Sequence, residues 1–567
     1  MSNSVDPYSV NEKSIETTHH NCPAKHRTID DFLQEAYDAT STSSSQFRLK
    51  YWLAFLALGI ANSGDATEVG CLNYVLSYPE FQMDILEGGD LAHRGALLTS
   101  SVYAGMLLGG LITGAVWGDQ GHFGRKPTCL AGLALNATSG LASAFTPNVY
   151  FMSLSRFIGG LGIGAILSSL IAFATEISPP KQRGFFVTFV ASFWTLGSIT
   201  VAILAWLLLG QREASWRLFI LSCALPALFG FISVAFLVPE SPRFLALHGK
   251  HYQALFHANH YAIIGMGYQG PPLTLEELQF HYPQPNQKDF QTDKESVANK
   301  PIRPTLSVAV KNVRDLYATK EIRRTHTIPL QCLWFCMSFG SGLCTWMNTI
   351  FTQVGISDVY GSALLFAFAN IPGNIASAIL LDRVGRKTLL VWTMTLSSAS
   401  LWLFAYGAHA ANSNQDSPDR HIYTTMVVTS ACIFHAFLVS GWCCISCMTG
   451  ESFPTKIRST GMGLCAASGR IAAMLVQFVN GSLIDTPAIL LSLSSAMILI
   501  GALTPWCLKM PDLSHTPLQD HVTLDSGSSQ DPQLHSNYPQ QTVDSKTHSS
   551  LVKRAPVIAG VDAGEIL

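Results

Sequence analysis

Glu176-Ile177-Ser178-Pro179-Pro180-Lys181-Gln182-Arg183 and Glu451-Ser452-Phe453-Pro454-Thr455-Lys456-Ile457-Arg458 are the two stretches on which the fold turns. Both follow the pattern E-x-x-P-x-x-x-R, and each closes an apolar run. The first run is the fourth in the chain and the second is the tenth. The same pattern at corresponding places is hard to obtain by chance and argues for an internal repeat. Around the first copy, apolar segments fall at about 51–76, 95–116, 128–145, 150–175, 184–210 and 216–238. Around the second they fall at about 328–351, 360–381, 388–408, 423–449, 459–482 and 487–508. Each segment approaches the roughly 20 residues that span a bilayer.

Composition agrees with this spacing. Of the 567 residues 48% are hydrophobic and 13% charged, against about 25% charged in an average soluble chain. The mean hydropathy is +0.27 despite long polar stretches. Lys and Arg number 35 and Asp and Glu 37, a balance that argues against a nucleic-acid-binding surface. All of the 13 cysteines except Cys22 lie in apolar runs. Cys444-x-x-Cys447 has the spacing of half a zinc site but no second pair and no nearby His cluster, so packing is the plainer reading and no metal is expected. Residues 1–50 lack the apolar core of a cleavable signal peptide. No G-x-x-x-x-G-K-[ST] loop is present, so ATP is not the expected driver and no cofactor is implied.

The expected organisation is therefore an all-α membrane protein with twelve transmembrane helices in two six-helix bundles related by a pseudo-two-fold repeat. Residues 1–50 read as an N-terminal tail with an amphipathic piece near Asp30–Tyr37, 51–243 as the first bundle and 244–327 as a linker. Residues 328–508 form the second bundle and 509–567 a polar, disordered tail. Short loops after segments 2, 4, 8 and 10 carry Arg125, Lys126, Lys181, Arg183, Arg383, Arg386, Lys387, Lys456 and Arg458. Loops on the other side are acidic, with Glu80, Asp84, Glu87, Asp90, Asp416 and Asp419. The positive-inside rule then puts both termini and the linker in the cytoplasm of a multi-pass plasma-membrane or organelle protein.

The loop after segment 8 reads Asp382-Arg383-Val384-Gly385-Arg386-Lys387, and that after segment 2 reads Asp119-Gln120-Gly121-His122-Phe123-Gly124-Arg125-Lys126. Segment 4 carries Arg156-x-x-Gly159-x-x-Gly162-x-Gly164, and segment 6 ends in Pro239-Glu240-Ser241-Pro242-Arg243. The chain resembles the major facilitator superfamily: D-R-x-G-R-K is that family's loop between helices 2 and 3, and its second copy is matched without gaps. The first copy has two extra residues between Asp119 and Gly124, and Gln120 replaces the usual Arg. P-E-S-P-R resembles the sugar-porter branch, whereas Asp65-Ala66-Thr67-Glu68-Val69 and Ser468-Gly469-Arg470 resemble synaptic-vesicle-protein-like and organic-ion carriers. Gln331-Cys332 stands where hexose carriers have paired glutamines. The resemblance implies a secondary transporter of a small polar organic solute, an organic ion ahead of a sugar, working by alternating access and coupled to protons.

Asp65 and Glu68 are three residues apart, on one face of a helix, inside an apolar crossing. A carboxylate there is costly unless it meets water, an opposite charge or a proton. The structural alternative is a hydrated or paired position near a helix end. Proton-coupled relatives pair a helix-1 aspartate with a helix-4 arginine, so the resemblance implies an Asp65–Arg156 bridge that a proton opens. His435 is a second relay candidate, with packing as the alternative. Asp119, Arg125, Glu176, Arg183, Asp382, Arg383, Arg386, Glu451 and Arg458 are the expected inner gate, whose charges can also be ordinary loop charge. Trp194, Trp334, Trp346, Asn348, Trp442 and Arg470 are candidates for the cavity wall. Asn136 and Asn480 sit in sequons within helices, where glycosylation is not expected. The rival function is a non-transporting membrane sensor or vesicle protein of the same fold, and Asp65, Glu68 and Arg156 argue against it.

Overall fold

The computed structural model describes residues 27–41, 48–88, 90–113, 124–211, 215–282, 313–314, 316–317, 323–413, 418, 420–453 and 458–507. The expected tail 509–567 and Asp119 lie outside the described residues, as do the side chains of Asp382 and Arg458.

An amphipathic helix, α1 (Ile29–Ser41), precedes the first half. That half comprises α2 (Leu49–Val75), α3 (Ala96–Ile112), α4 (Arg125–Ser143), α5 (Val149–Ile177), α6 (Arg183–Ala205) and α7 (Trp216–Leu237). The linker contains α8 (His251–Asn259) and α9 (Leu275–His281). The second half begins with a broken helix, α10 (Ile328–Ser341) and α11 (Met347–Val354), joined by a 3-10 turn over Gly342–Trp346. It continues with α12 (Val359–Phe368), α13 (Asn370–Val384), α14 (Arg386–Ser413), α15 (Arg420–Ser452), α16 (Arg458–Leu483) and α17 (Pro487–Cys507). With α10–α11 and α12–α13 each counted as one crossing, the described residues give six crossings per half.

Ten of these crossings are long and apolar enough to span a membrane by length and hydropathy alone. The exceptions are α2 and α4. Both are diluted by polar residues: α2 by Asn62, Asp65, Glu68 and Asn73, and α4 by a run of Ser, Thr, Gly and Asn. They carry Asp65, Glu68 and Asn136 of the charged site described below.

Packing repeats between the halves. In the first, α3 packs on α5, α4 on α5 and α7, and α2 on α6 and α7. In the second, α13 packs on α15, α14 on α15 and α17, and α10 on α16 and α17. The halves meet along α3–α16 and α6–α12, which are again equivalent positions. Small residues allow the tightest crossings. A Cβ added at Gly160 of α5 would lie 3.1 Å from the Gly105 Cα of α3, and one at Gly373 of α13 would lie 3.1 Å from the Ala436 Cα of α15. The turn between α13 and α14 needs a positive φ of 88° at Gly385, which explains the glycine of D-R-V-G-R-K.

Candidate functional site

Asp65 and Glu68 project from α2 into the interior of the first half, where α2, α4, α5 and α7 converge. Asp65 is 0% exposed, Asn136 1%, Arg156 3% and Glu68 4%. Two small residues make the room. A methyl group at Gly140 of α4 would collide with Glu68 Oε1, and one at Gly64 of α2 would lie 2.6 Å from the Ala227 Cα of α7. Thr67 Oγ1 donates to the Cys223 carbonyl at 3.0 Å, joining α2 to α7.

The pairing differs from the expected Asp65–Arg156 bridge. Arg156 Nη1 donates to Glu68 Oε2, while Asp65 Oδ1 accepts from Asn136 Nδ2 at 2.8 Å. Residues 65 and 68 share a helix face, so either could meet an arginine on α5. The relative depth of α2 and α5 decides it, and that depth is a property of the packing. Several buried atoms keep no protein partner: Asp65 Oδ2, Glu68 Oε1, Asn136 Oδ1, and Arg156 Nε and Nη2. Asn136, noticed in the sequence only as a sequon, is the residue that reading missed. The available signal was a polar amide in a membrane helix.

Four of the gate candidates pair, two in each half. Arg125 donates to Glu176 Oε1 through Nη2 at 2.8 Å, and Ser241 Oγ donates to Glu176 Oε2 at 2.6 Å. Arg386 pairs with Glu451 at 2.7 Å. Arg125 and Arg386 are each the first residue of the third crossing, so the two pairs are repeat equivalents. Each pair lies within its own half rather than across the seam between halves. Arg183 and Arg243 share Asp30 of α1, at 3.3 and 3.4 Å. Glu240 accepts from the Lys126 backbone N–H at 3.1 Å, placing a carboxylate at the N-terminus of α4 where the helix dipole favours it. Arg383 is exposed.

The remaining candidates are dispersed over the second half and the seam. His435 Nδ1 donates to the Phe366 carbonyl at 2.7 Å and its ring stacks on Phe366 at 3.9 Å, an arrangement that serves packing between α12 and α15. Trp346 is fully buried, with Nε1 donating to Gln477 Oε1 at 2.7 Å. Asn348 is fully buried and its backbone N–H donates to Asn73 Oδ1 of the first half at 3.0 Å. Trp334 and Trp442 meet edge to face at 5.4 Å and are half-buried, as are Trp194 and Arg470. Arg470 lies within electrostatic reach of Tyr103 on α3, whose hydroxyl hydrogen-bonds Thr345 Oγ1 at 3.1 Å. Further contacts across the seam are Tyr360 Oη to the Tyr74 carbonyl at 3.5 Å and Asn374 Nδ2 to Thr195 Oγ1 at 2.7 Å. Except for Thr195–Asn374 and Tyr103–Thr345, these hydrogen bonds lie toward the face opposite the linker.

Comparison with known proteins bears on both fold and family. The family model described as "Sugar (and other) transporter" matches residues 33–520. Synaptic vesicle glycoprotein 2C of Rattus norvegicus is 23% identical, over 86% of this chain and 82% of its own length. The niacin transporter NiaP of Acinetobacter baylyi is 24% identical, over 74% of this chain and 84% of its own. Among solved structures, a D-xylose-proton symporter superimposes with a TM-score of 0.59 at 16% identity, covering 82% of this chain and 98% of that one. The partially occluded inward-open xylose transporter XylE from E. coli gives a TM-score of 0.57 at 15% identity, covering 80% and 98%. These structures share the fold of two six-helix bundles. With a family model matched over most of its length, the chain is a multi-pass membrane protein that belongs to the sugar (and other) transporter family of the major facilitator superfamily.

Proposed function

We propose that this protein is a secondary active transporter that moves a small polar organic solute, an organic ion in preference to a sugar, by proton-coupled alternating access. The observation that carries the reading is the Asp65–Glu68–Arg156 cluster, three ionisable groups at 4% exposure or less within one half. Burying charge inside a membrane bundle is costly and persists where a function uses it. Two carboxylates facing one guanidinium leave a single excess negative charge, which one proton neutralises. The substrate site lies between the halves near the bilayer midplane, bordered by Arg470, Tyr103, Trp334 and Trp442. Arg470 supplies a cation for an anionic solute. The Arg125–Glu176 and Arg386–Glu451 pairs brace the inner rim of each half, and both termini face the cytoplasm. The names of relatives suggest nicotinate and D-xylose as first probes.

The test is uptake by the purified chain in proteoliposomes under an imposed proton gradient, with nicotinate, choline and D-xylose as radiolabelled solutes. The expected result is accumulation of at least one of them, collapsed by a protonophore and uncoupled from the gradient in Asp65→Asn. If none accumulates and none raises the melting temperature, a sensor or vesicle protein without transport becomes the better reading.

A further inference from the structure

We infer that the linker helix running from His251 to Gly265 lies in the bilayer interface on the linker side, with Tyr252, Phe256, Ile263 and Ile264 set at the boundary between phospholipid headgroups and acyl chains. This contact depends on neither transport nor proton coupling.

Between Glu240 and Glu276 the chain has no acidic residue, and its only fixed charges are Arg243 and Lys250. The rest of the linker, 276–327, is rich in both signs. Within the neutral stretch, α8 starts directly after Lys250 and is continued by a wider π-helical turn over His260–Gly265. One side of this helix belongs to the protein: Ala254, Ala258, Tyr261 and Ala262 are buried in the apolar cluster at the base of the first half. A side that met water would be polar. Instead Tyr252 is 76% and Phe256 60% exposed, and Ile263 and Ile264 are exposed one turn beyond His260. Steps of four put 252, 256 and 260 on one face.

The polar groups near this face are Gln253 and the rings of His257 and His260. Burial, with His260 and Lys126 beside it, pushes His257 down to about 4. Burial and the nearby Lys50 lower His260 as well. Both rings are therefore neutral near pH 7. A helix apolar on two sides is covered on two sides, and the protein covers only one.

Placement points to lipid as the other cover. Tyr261 Oη donates at 2.7 Å to the carbonyl of Pro239, just past the end of α7. A Cβ at Gly265 would lie 3.6 Å from the Tyr51 Cβ in the first turn of α2. The helix thus runs at the ends of two spanning helices, where the bilayer itself ends. Phe229, Ile232 and Phe236 of α7 are exposed at spacings of three and four, a lipid-facing stripe that runs into the last turn of that helix. On that turn Lys126 Nζ donates to the Ala235 carbonyl at 2.8 Å. Exposed Lys50 and Lys250 complete a cationic rim. Apolar side chains rimmed by long cationic ones match acyl chains beneath a layer of phosphates.

Photo-crosslinking and hydrogen exchange of the full chain in phosphatidylcholine–phosphatidylserine nanodiscs test the assignment. A benzophenone side chain placed at position 256 should give phospholipid adducts on irradiation, identified by mass spectrometry, and one placed at position 276 should give none. In Phe256→Ser, amide exchange over 251–265 should quicken about tenfold, the loss expected for one buried apolar side chain. Its melting temperature in detergent should stay unchanged, since the residue touches little of the protein. Should Phe256→Ser not fold, Ile263→Ser carries the same measurement. Adducts from position 256 to a peptide of this chain would show that a protein segment covers the face, and would overturn the proposal. So would equal lipid adducts at both positions, no lipid adduct at 256, or exchange indifferent to the loss of Phe256.

Discussion

At the scale of single residues, the buried Glu68–Arg156 pair is the interaction most sensitive to change. Removing one member of a buried pair leaves the other charge without compensation, at a cost of about 3–5 kcal/mol. Glu68→Ala strands the Arg156 guanidinium, which already has Nε and Nη2 unpartnered. Asp65→Asn keeps shape and hydrogen-bonding capacity and removes only an excess negative charge. The expected outcome is a strongly lowered melting temperature in detergent for Glu68→Ala and little change for Asp65→Asn. Equal losses in the two variants would contradict the pairing. The sequence makes Asp65, Glu68 and Arg156 visible because ionisable groups stand out in apolar runs. It does not say which carboxylate meets the arginine, since a spacing of three places both on one face and only tertiary packing sets the depth of α5. Asn136 carries no charge to attract notice, and its hydrogen bond to Asp65 is a contact between helices that no sequence spacing shows.

At the scale of elements, α1 works as a strap joining the linker to the base of the first half. Arg27 donates to Glu277 Oε1 at 2.8 Å, Tyr268 Oη to Glu35 Oε1 at 2.7 Å, and Lys181 pairs with Asp38 at 3.0 Å. Ile29, Phe32, Leu33 and Ala36 are buried in one apolar cluster with residues of α2 and the linker, and the Phe32 ring meets Tyr268 edge to face at 5.8 Å. Burying a large apolar side chain contributes about 1.5–3 kcal/mol, whereas an exposed ion pair contributes about 0–1 kcal/mol. The apolar face therefore holds the strap and the charges set its register. Burial alone would raise the Glu277 carboxyl, but hydrogen bonds from Arg27 and from the Thr274 backbone and hydroxyl bring it down to about 2. A carboxylate lowered in this way stabilises the fold above its unfolded value, near 4.3, and loses that contribution only as pH falls toward 2. The strap should accordingly stay docked from about pH 8 to about pH 5. Limited trypsin digestion at Arg48 and Lys50 should be pH-independent in that window apart from the protease's own profile. Cleavage should be faster in Phe32→Ala than in Asp30→Asn; the reverse order would mean that charge, not burial, holds α1. The amphipathic pattern of Asp30–Tyr37 was legible in sequence, but its partner surface was not. The break at Gly342–Trp346 was equally hidden, because the apolar run passes through it without interruption.

At the scale of the whole molecule, the repeat was legible from two octapeptides, and the packing follows it helix for helix. What no sequence pattern reveals is how one half leans on the other. Contacts across the seam gather toward the face opposite the linker: Asn73 with Asn348, Tyr74 with Tyr360, and Gly481 against Ala92. Among the described residues, the Arg125–Glu176 and Arg386–Glu451 pairs near the linker lie within their own halves. Under the proposed cycle this is the state closed at the far face, and transport requires that closure to open. Gly210 and Tyr360 measure it directly, because a Cβ at position 210 would stand 3.1 Å from the Tyr360 Cβ. That is close to the 3.5–4.5 Å that a disulfide needs, so a small backbone shift admits the bond. In a Cys332→Ser background, which removes an exposed thiol, the Gly210→Cys/Tyr360→Cys variant should form the bridge under mild oxidation, detected by mass spectrometry of its peptides. Bridged protein should lose uptake in proteoliposomes and regain it on reduction, while either single variant stays active. Full transport by bridged protein would show that the two halves need not part at this face, and the rocking cycle would have to be abandoned.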